Sequence, residues 1–294
     1  MSSALALDST SLYDAVVHTL RGRDPQEGAA RERTDLPVRF RRDGSWGCLD
    51  VQVIGDIADY RYLLRLNAVL PGPAKFCLSP AGEVRLRAEL PCEEDGPTDL
   101  HDGRVGMATA HMHHAHALVC SYDGKDVPAE HAASTDMHPA ISRCGAQGWK
   151  CIERGPNHWM VELDGTRTYA QAEIKAKGEE LELSTILGQH EPVDEICDAA
   201  LLHWLLSAGG VFRMVRTALV DGNGLVNAEL LLRIPAVGAI PDLEFGLSAL
   251  SVAMRHMQHE FGALCQPEIA GAYLAMHHAA KVRPGRERDE SRHD

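Results

Sequence analysis

With 294 residues the chain is long enough for two ordinary domains and can bury a substantial core without a metal or a disulfide. Its formal net charge of −13 offers no broad basic field for nucleic acid or an anionic membrane, and no local basic patch supplies one. No apolar run approaches the roughly 20 residues of a membrane helix, and the opening MSSALALDSTSLYD lacks the basic-then-apolar order of a secretory leader, so a cytoplasmic location is expected.

In chain order, residues 9–21 begin with Ser, Thr and Asp capping candidates and place Leu12, Ala15, Val16 and Leu20 on one face, which predicts a helix. Residues 21–37 and 281–294 are charge-rich and poor in apolar residues, a disordered pattern. Trp46, Leu49, Val51 and Val53 predict a strand, and residues 54–70 two more, with Tyr62, Leu64, Leu66, Ala68 and Leu70 on one face. Pro71-Gly72-Pro73 then leads directly into a hairpin of residues 74–78 and 83–90. Its second strand alternates Val84, Leu86, Ala88 and Leu90 with Glu83, Arg85, Arg87 and Glu89, read as a solvated face. A helix over about 103–120 follows, and a weaker one over 129–144.

Trp159, Val161 and Leu163 start the next strand series, continued by residues 168–177 and 180–187. A helix at 192–207 is apolar over most of its circumference. Residues 211–220 and 225–234 flank Asp221-Gly222-Asn223-Gly224, a hairpin turn whose Asn-Gly pair permits positive φ. Leu243, Leu247, Leu250, Met254, Met257, Phe261 and Leu264 form the clearest helical stripe in the chain. The eight cysteines (Cys48, Cys77, Cys92, Cys120, Cys144, Cys151, Cys197 and Cys265) contain no C-x-x-C pair and read as reduced thiols, several of them in the core.

The chain repeats itself. His111-Met112 is echoed by His256-Met257 at an offset of 145 residues (256 − 111), which also brings Cys120 onto Cys265 and Ala108 onto Ala253. Each copy reads as about five strands framed by helices, and only the second shows a helix before its hairpin. The order helix, three strands, helix, hairpin, closing helix resembles the type III secretion chaperone and YbjN-like superfamily, small α+β units that pair as dimers and bind peptide segments without chemistry. The resemblance implies an α+β tandem pseudo-dimer. Its first unit is residues 1–125 without the middle helix, its second unit residues 126–280, and its tail residues 281–294. It also implies a noncatalytic binding or adaptor role toward a peptide or protein client, in a monomeric pseudo-dimer or a homodimer with no cofactor. No site residue transfers by motif.

Where the first copy lacks the middle helix, the apolar surface of Leu201, Trp204, Leu205 and Phe212 is expected to face a client peptide, with burial inside the protein as the equal alternative. Histidines at helical spacing suggest a second function class, a metal-binding protein extending to a metalloenzyme. A pseudo-twofold axis could bring His111 and His114 against His256 and His259 around a divalent transition metal such as zinc. The plainer reading makes them polar helix residues between packed units. No H-E-x-x-H, G-x-S-x-G, Walker or G-x-G-x-x-G pattern occurs, which weighs against an enzyme.

Overall fold

Two antiparallel sheets organise the computed structural model, which describes residues 36–53, 59–91, 98–120, 149–163, 170–177, 180–235 and 240–277. The helices expected at 9–21 and 129–144, most of 21–37, and the tail at 281–294 lie outside the described residues. The first sheet takes β1 (Arg39–Asp43), β2 (Trp46–Gln52), β3 (Ala74–Leu78) and β4 (Val84–Pro91) in the order β1-β2-β4-β3, with α1 (Tyr60–Val69) before the second hairpin and α2 (Thr98–Cys120) after it. The second takes β5 (Cys151–Gly155), β6 (His158–Glu162), β7 (Gln171–Lys177), β8 (Glu180–Gln189), β9 (Arg216–Gly222) and β10 (Leu225–Pro235) in the order β5-β6-β7-β8-β10-β9. There α3 (Glu195–Val211) precedes the last hairpin, and α4 (Ile240–Leu264) and α5 (Pro267–Met276) follow it. The chain is therefore α+β, with sheets of four and six strands rather than about five each.

Residues 60–69 are a helix, not a strand, and this corrects the expected absence of a middle helix in the first unit. Asp59 caps α1 by accepting from the Tyr62 N–H, as Asp194 caps α3 by accepting from the Cys197 N–H. The short apolar run fits both periods, but the buried set is Tyr62, Leu63, Leu66, Asn67 and Leu70 as well as Leu64, a helical face. Each unit thus runs strands, helix, hairpin, helix, and the units differ by two strands. The hairpin strands β1 and β5 escaped the apolar pattern because they are edge strands with mostly exposed residues.

Local signals hold elsewhere. Asn223 and Gly224, at φ 54° and 77°, make the tight turn between β9 and β10. All seven residues of the α4 stripe are buried against β8 and β10, each worth about 1.5–3 kcal/mol of transfer free energy. Ala108 and Met112 on α2, like Ala253 and Met257 on α4, face the core.

The units are joined by an exchange. α1 packs on β9 of the second sheet, and α3 packs on β3 of the first. Neither helix has a basic residue in its last turn, so its C-terminal carbonyls lack an internal cation. The opposite unit supplies one in each case. Lys75 on β3 donates to the carbonyls of Phe212, the residue ending α3, at 2.7 Å and Val215 at 3.1 Å, while pairing with Glu89 at 2.7 Å. Arg216 on β9 donates to the carbonyls of Leu70, the residue ending α1, at 2.8 Å and Ala74 at 2.9 Å. Two residues back, Arg87 reaches the Gly210 carbonyl at 2.9 Å and Arg233 the Ala68 carbonyl at 3.3 Å. These two arginines occupy matching places, opposite Asp50 on β2 and Glu182 on β8. The face of β4 read as solvated is therefore part of the joint, with Glu89 buried and Arg87 half-buried.

Close approach makes this geometry possible. A Cβ on Gly210 would stand 2.6 Å from the Leu78 carbonyl oxygen, so the second of two successive glycines lets α3 reach β3. Asn67, fully buried on α1, donates to the carbonyls of Phe76 at 2.9 Å and Thr217 at 3.0 Å and accepts from the Phe76 N–H at 2.8 Å. It stitches β3 to β9 through one side chain.

Replacing Lys75 with Met leaves the Glu89 carboxylate buried without its cation and the α3 terminus uncapped. The expected loss is about 3–5 kcal/mol in urea unfolding, of which Lys75→Met/Glu89→Leu recovers a large part. A loss below about 1 kcal/mol for the single variant would contradict the role given to Lys75.

Candidate functional site

The face of the second sheet opposite α4 presents side chains in cross-strand rows. Register places Met160, Glu173, Ser184, Leu231 and Arg216 in one row, and His158, Lys175, Glu182 and Arg233 in the next. Glu229 lies beside Ile186 on β8 and Ala218 on β9, next to a bulge between Ala228 and Glu229. The end of α1, at Ala68 and Val69, walls this face where it crosses β9. The result is a cleft of about 570 Å³, within the roughly 300–1,000 Å³ of ligand sites. Gln171, Lys177 and Thr185 also line it.

Its charges are mostly committed to one another. Glu182 accepts from Arg233 at 2.6 Å and from Lys177 at 2.8 Å. Glu173 pairs with Lys175 and lies 3.6 Å from His158 Nε2. Glu229 has neither a hydrogen bond nor an ion pair among the described residues. Burial raises the pKa of its carboxyl, Lys175 pulls it back, and the nearby Glu182 and Glu173 raise it further.

A second concavity, of about 30 Å³, lies at the joint of the units between α2, the Gly72 loop and β10. Its volume is that of about one water. His111 projects from α2 against Gly72, where an added Cβ would stand 1.9 Å from His111 Nδ1, and Gly72 is held at φ +60°. The Gly72 N–H donates to Glu180 at 2.8 Å. His111 Nδ1 is buried with no hydrogen-bond partner among the described residues. Burial, then His114, Arg216 and Arg233, depress its pKa to about 4.

The residues expected to meet a client do not form its surface. Leu201 and Leu205 have no exposed area, Trp204 is buried and donates to Glu260 at 2.9 Å, and Phe212 is a half-buried helix end whose ring lies beside His256. This corrects the predicted peptide-binding set. α1, α4 and α5 all pack on α3 and bury most of its apolar circumference, leaving Ile196 and Val211 near its two ends exposed. The four histidines are not assembled either. His111 lies at the Gly72 loop, His114, His256 and His259 are exposed, and no cluster of three or more His, Cys, Asp or Glu with metal-holding geometry occurs among the described residues. The physical reason is that α2 and α4 cover their own sheets rather than each other.

Sequence reasoning missed the cleft, although its residues were the polar half of strands it had placed. Gln171, Glu173, Lys175 and Lys177 alternate with the core set Ala172, Ile174 and Ala176. The signal was an acid–base pattern on the outer face of several strands at once.

No family model matches the chain and no curated protein is similar to it. Among solved structures it is similar to the di-domain ARO/CYC StfQ from the steffimycin biosynthetic pathway, at 11% identity over 70% of each chain with a TM-score of 0.15. A likeness at that level carries no inference about fold or function.

The His111 environment predicts a pH dependence. Its folded pKa of about 4 lies below the usual 6.5, so the unfolded chain takes up the proton first. Its contribution is constant above about pH 6.5 and turns destabilising as pH falls from there to about 4, by up to roughly 3 kcal/mol before solvent screening. Urea titrations at stepped pH should show a shallower acid decline for His111→Gln than for the parent. Parallel curves would rule out this assignment.

Proposed function

We propose that this chain is a noncatalytic, chaperone-like or adaptor-like protein that holds an extended segment of a peptide or protein client in the cleft on its six-stranded sheet. The observation that carries the reading is the mixed lining of that cleft. Met160, Ile186 and Leu231 offer adaptable apolar contact, while Gln171, Ser184 and Thr185 interleave polar groups with them. A polypeptide presents the same mixture, apolar side chains spaced along a backbone of donors and acceptors.

The exchange of middle helices between the units also supports a pseudo-dimer of the secretion-chaperone kind. That resemblance implied paired α+β units, and here α1 and α3 each pack on the other unit's hairpin.

Filling the cleft tests the proposal. Peptides selected from a random display library on the parent protein should lose at least about tenfold in affinity on Ser184→Trp or Ile186→Trp, an energy of about 1.4 kcal/mol. The melting temperature of Ile186→Trp, at a largely exposed position, should stay close to the parent. Selected peptides that bind the filled variants equally well would refute the cleft as the binding site.

A further inference from the structure

We propose that the cleft selects a cationic side chain, lysine or arginine, in the segment it holds, and that Glu229 is the residue that receives it. This inference rests on the cleft being the peptide site. Its own ground is the charge pattern of the lining. Glu173 is matched by Lys175, and Glu182 is matched by both Lys177 and Arg233. Glu229 alone of these three carboxyls has neither a hydrogen bond nor an ion pair at contact distance among the described residues, Lys175 acting on it only from farther off. A half-buried carboxylate in that position sits above its lowest free energy until a positive group arrives. An incoming acidic side chain would instead meet Glu229 with Glu182 and Glu173 close enough to raise its pKa.

Shape agrees with charge. Glu229 itself lines the cleft and is only half-buried, so its carboxyl is open to an occupant. Ile186, Val220 and Val69 line the same cleft with apolar surface. A lysine or arginine has an aliphatic stem to lay along such surface and a charged head to reach the carboxylate. A short neutral donor such as serine satisfies the carboxyl but leaves the apolar flank uncovered.

The experiment compares the parent with Glu229→Gln and Glu229→Lys by display selection, followed by affinity measurement of synthetic peptides. Parent-selected peptides should share a lysine or arginine. Replacing it with norleucine should weaken binding to the parent by about tenfold or more, and to Glu229→Gln by less than about threefold. Added salt should weaken the parent complex more than the norleucine complex. Glu229→Lys should prefer the peptide with glutamate at that place, which separates charge recognition from any loss of fold. If norleucine peptides bind the parent as tightly, and binding still falls on Ile186→Trp, the cationic selectivity is wrong while the cleft remains the peptide site. If binding survives Ile186→Trp, the underlying reading fails and this inference fails with it.

Discussion

The C-terminal ends of α1 and α3 are dipole ends whose carbonyls need outside donors, and neither helix has a basic residue in its last turn. Lys75 and Arg216, both essentially without exposed surface, satisfy those ends from the opposite unit. Burying such cations is tolerable only with charge-assisted hydrogen bonds, and each makes several. The contact is therefore obligatory in both directions. Separating the units would leave two bare helix ends, Arg216 without its carbonyl acceptors and Lys75 with Glu89 alone, so the joint resembles core although it is rich in charge.

The cleft depends on this joint. α1 belongs to the first unit, yet it forms one wall on the second sheet because Leu70 and Ala68 are fixed there by Arg216 and Arg233. Arg233 also holds Glu182 in the floor of the cleft, so one guanidinium serves both structure and site. The difference between the units supplies the rest. A sheet of six strands extends beyond the reach of α1, whereas the four-stranded sheet has no such width. The proposed peptide site accordingly lies on the wider sheet of the second unit, not where the first was expected to lack a helix.

Much of the architecture was legible because its signals are local. Asn223-Gly224 between two alternating runs specifies a turn by backbone sterics alone, and the α4 stripe specifies a helix by the period of its own side chains. The echo of His111-Met112 in His256-Met257 marked the two closing helices for the same reason, since each methionine faces the same kind of sheet. Edge strands such as β1 gave no apolar signal to find, with all five of its residues exposed.

The amino-acid sequence by itself determined an α+β chain of two related units, their hairpins and their closing helices, because each follows from periodicity within one element. Only the tertiary structure decided that residues 60–69 coil into α1, since a run as short as Tyr62 to Leu70 satisfies both periods until a neighbouring sheet selects one. It alone decided that Leu201 and Leu205 are core, because an all-round apolar helix does not name the surfaces that cover it. Strand alternation likewise separates two faces without saying whether the polar one meets water or another unit. That is why Lys75 and Glu89 proved to be buried, and why the carboxyls of the second sheet became a cleft only when adjacent strands and the end of α1 came together in register.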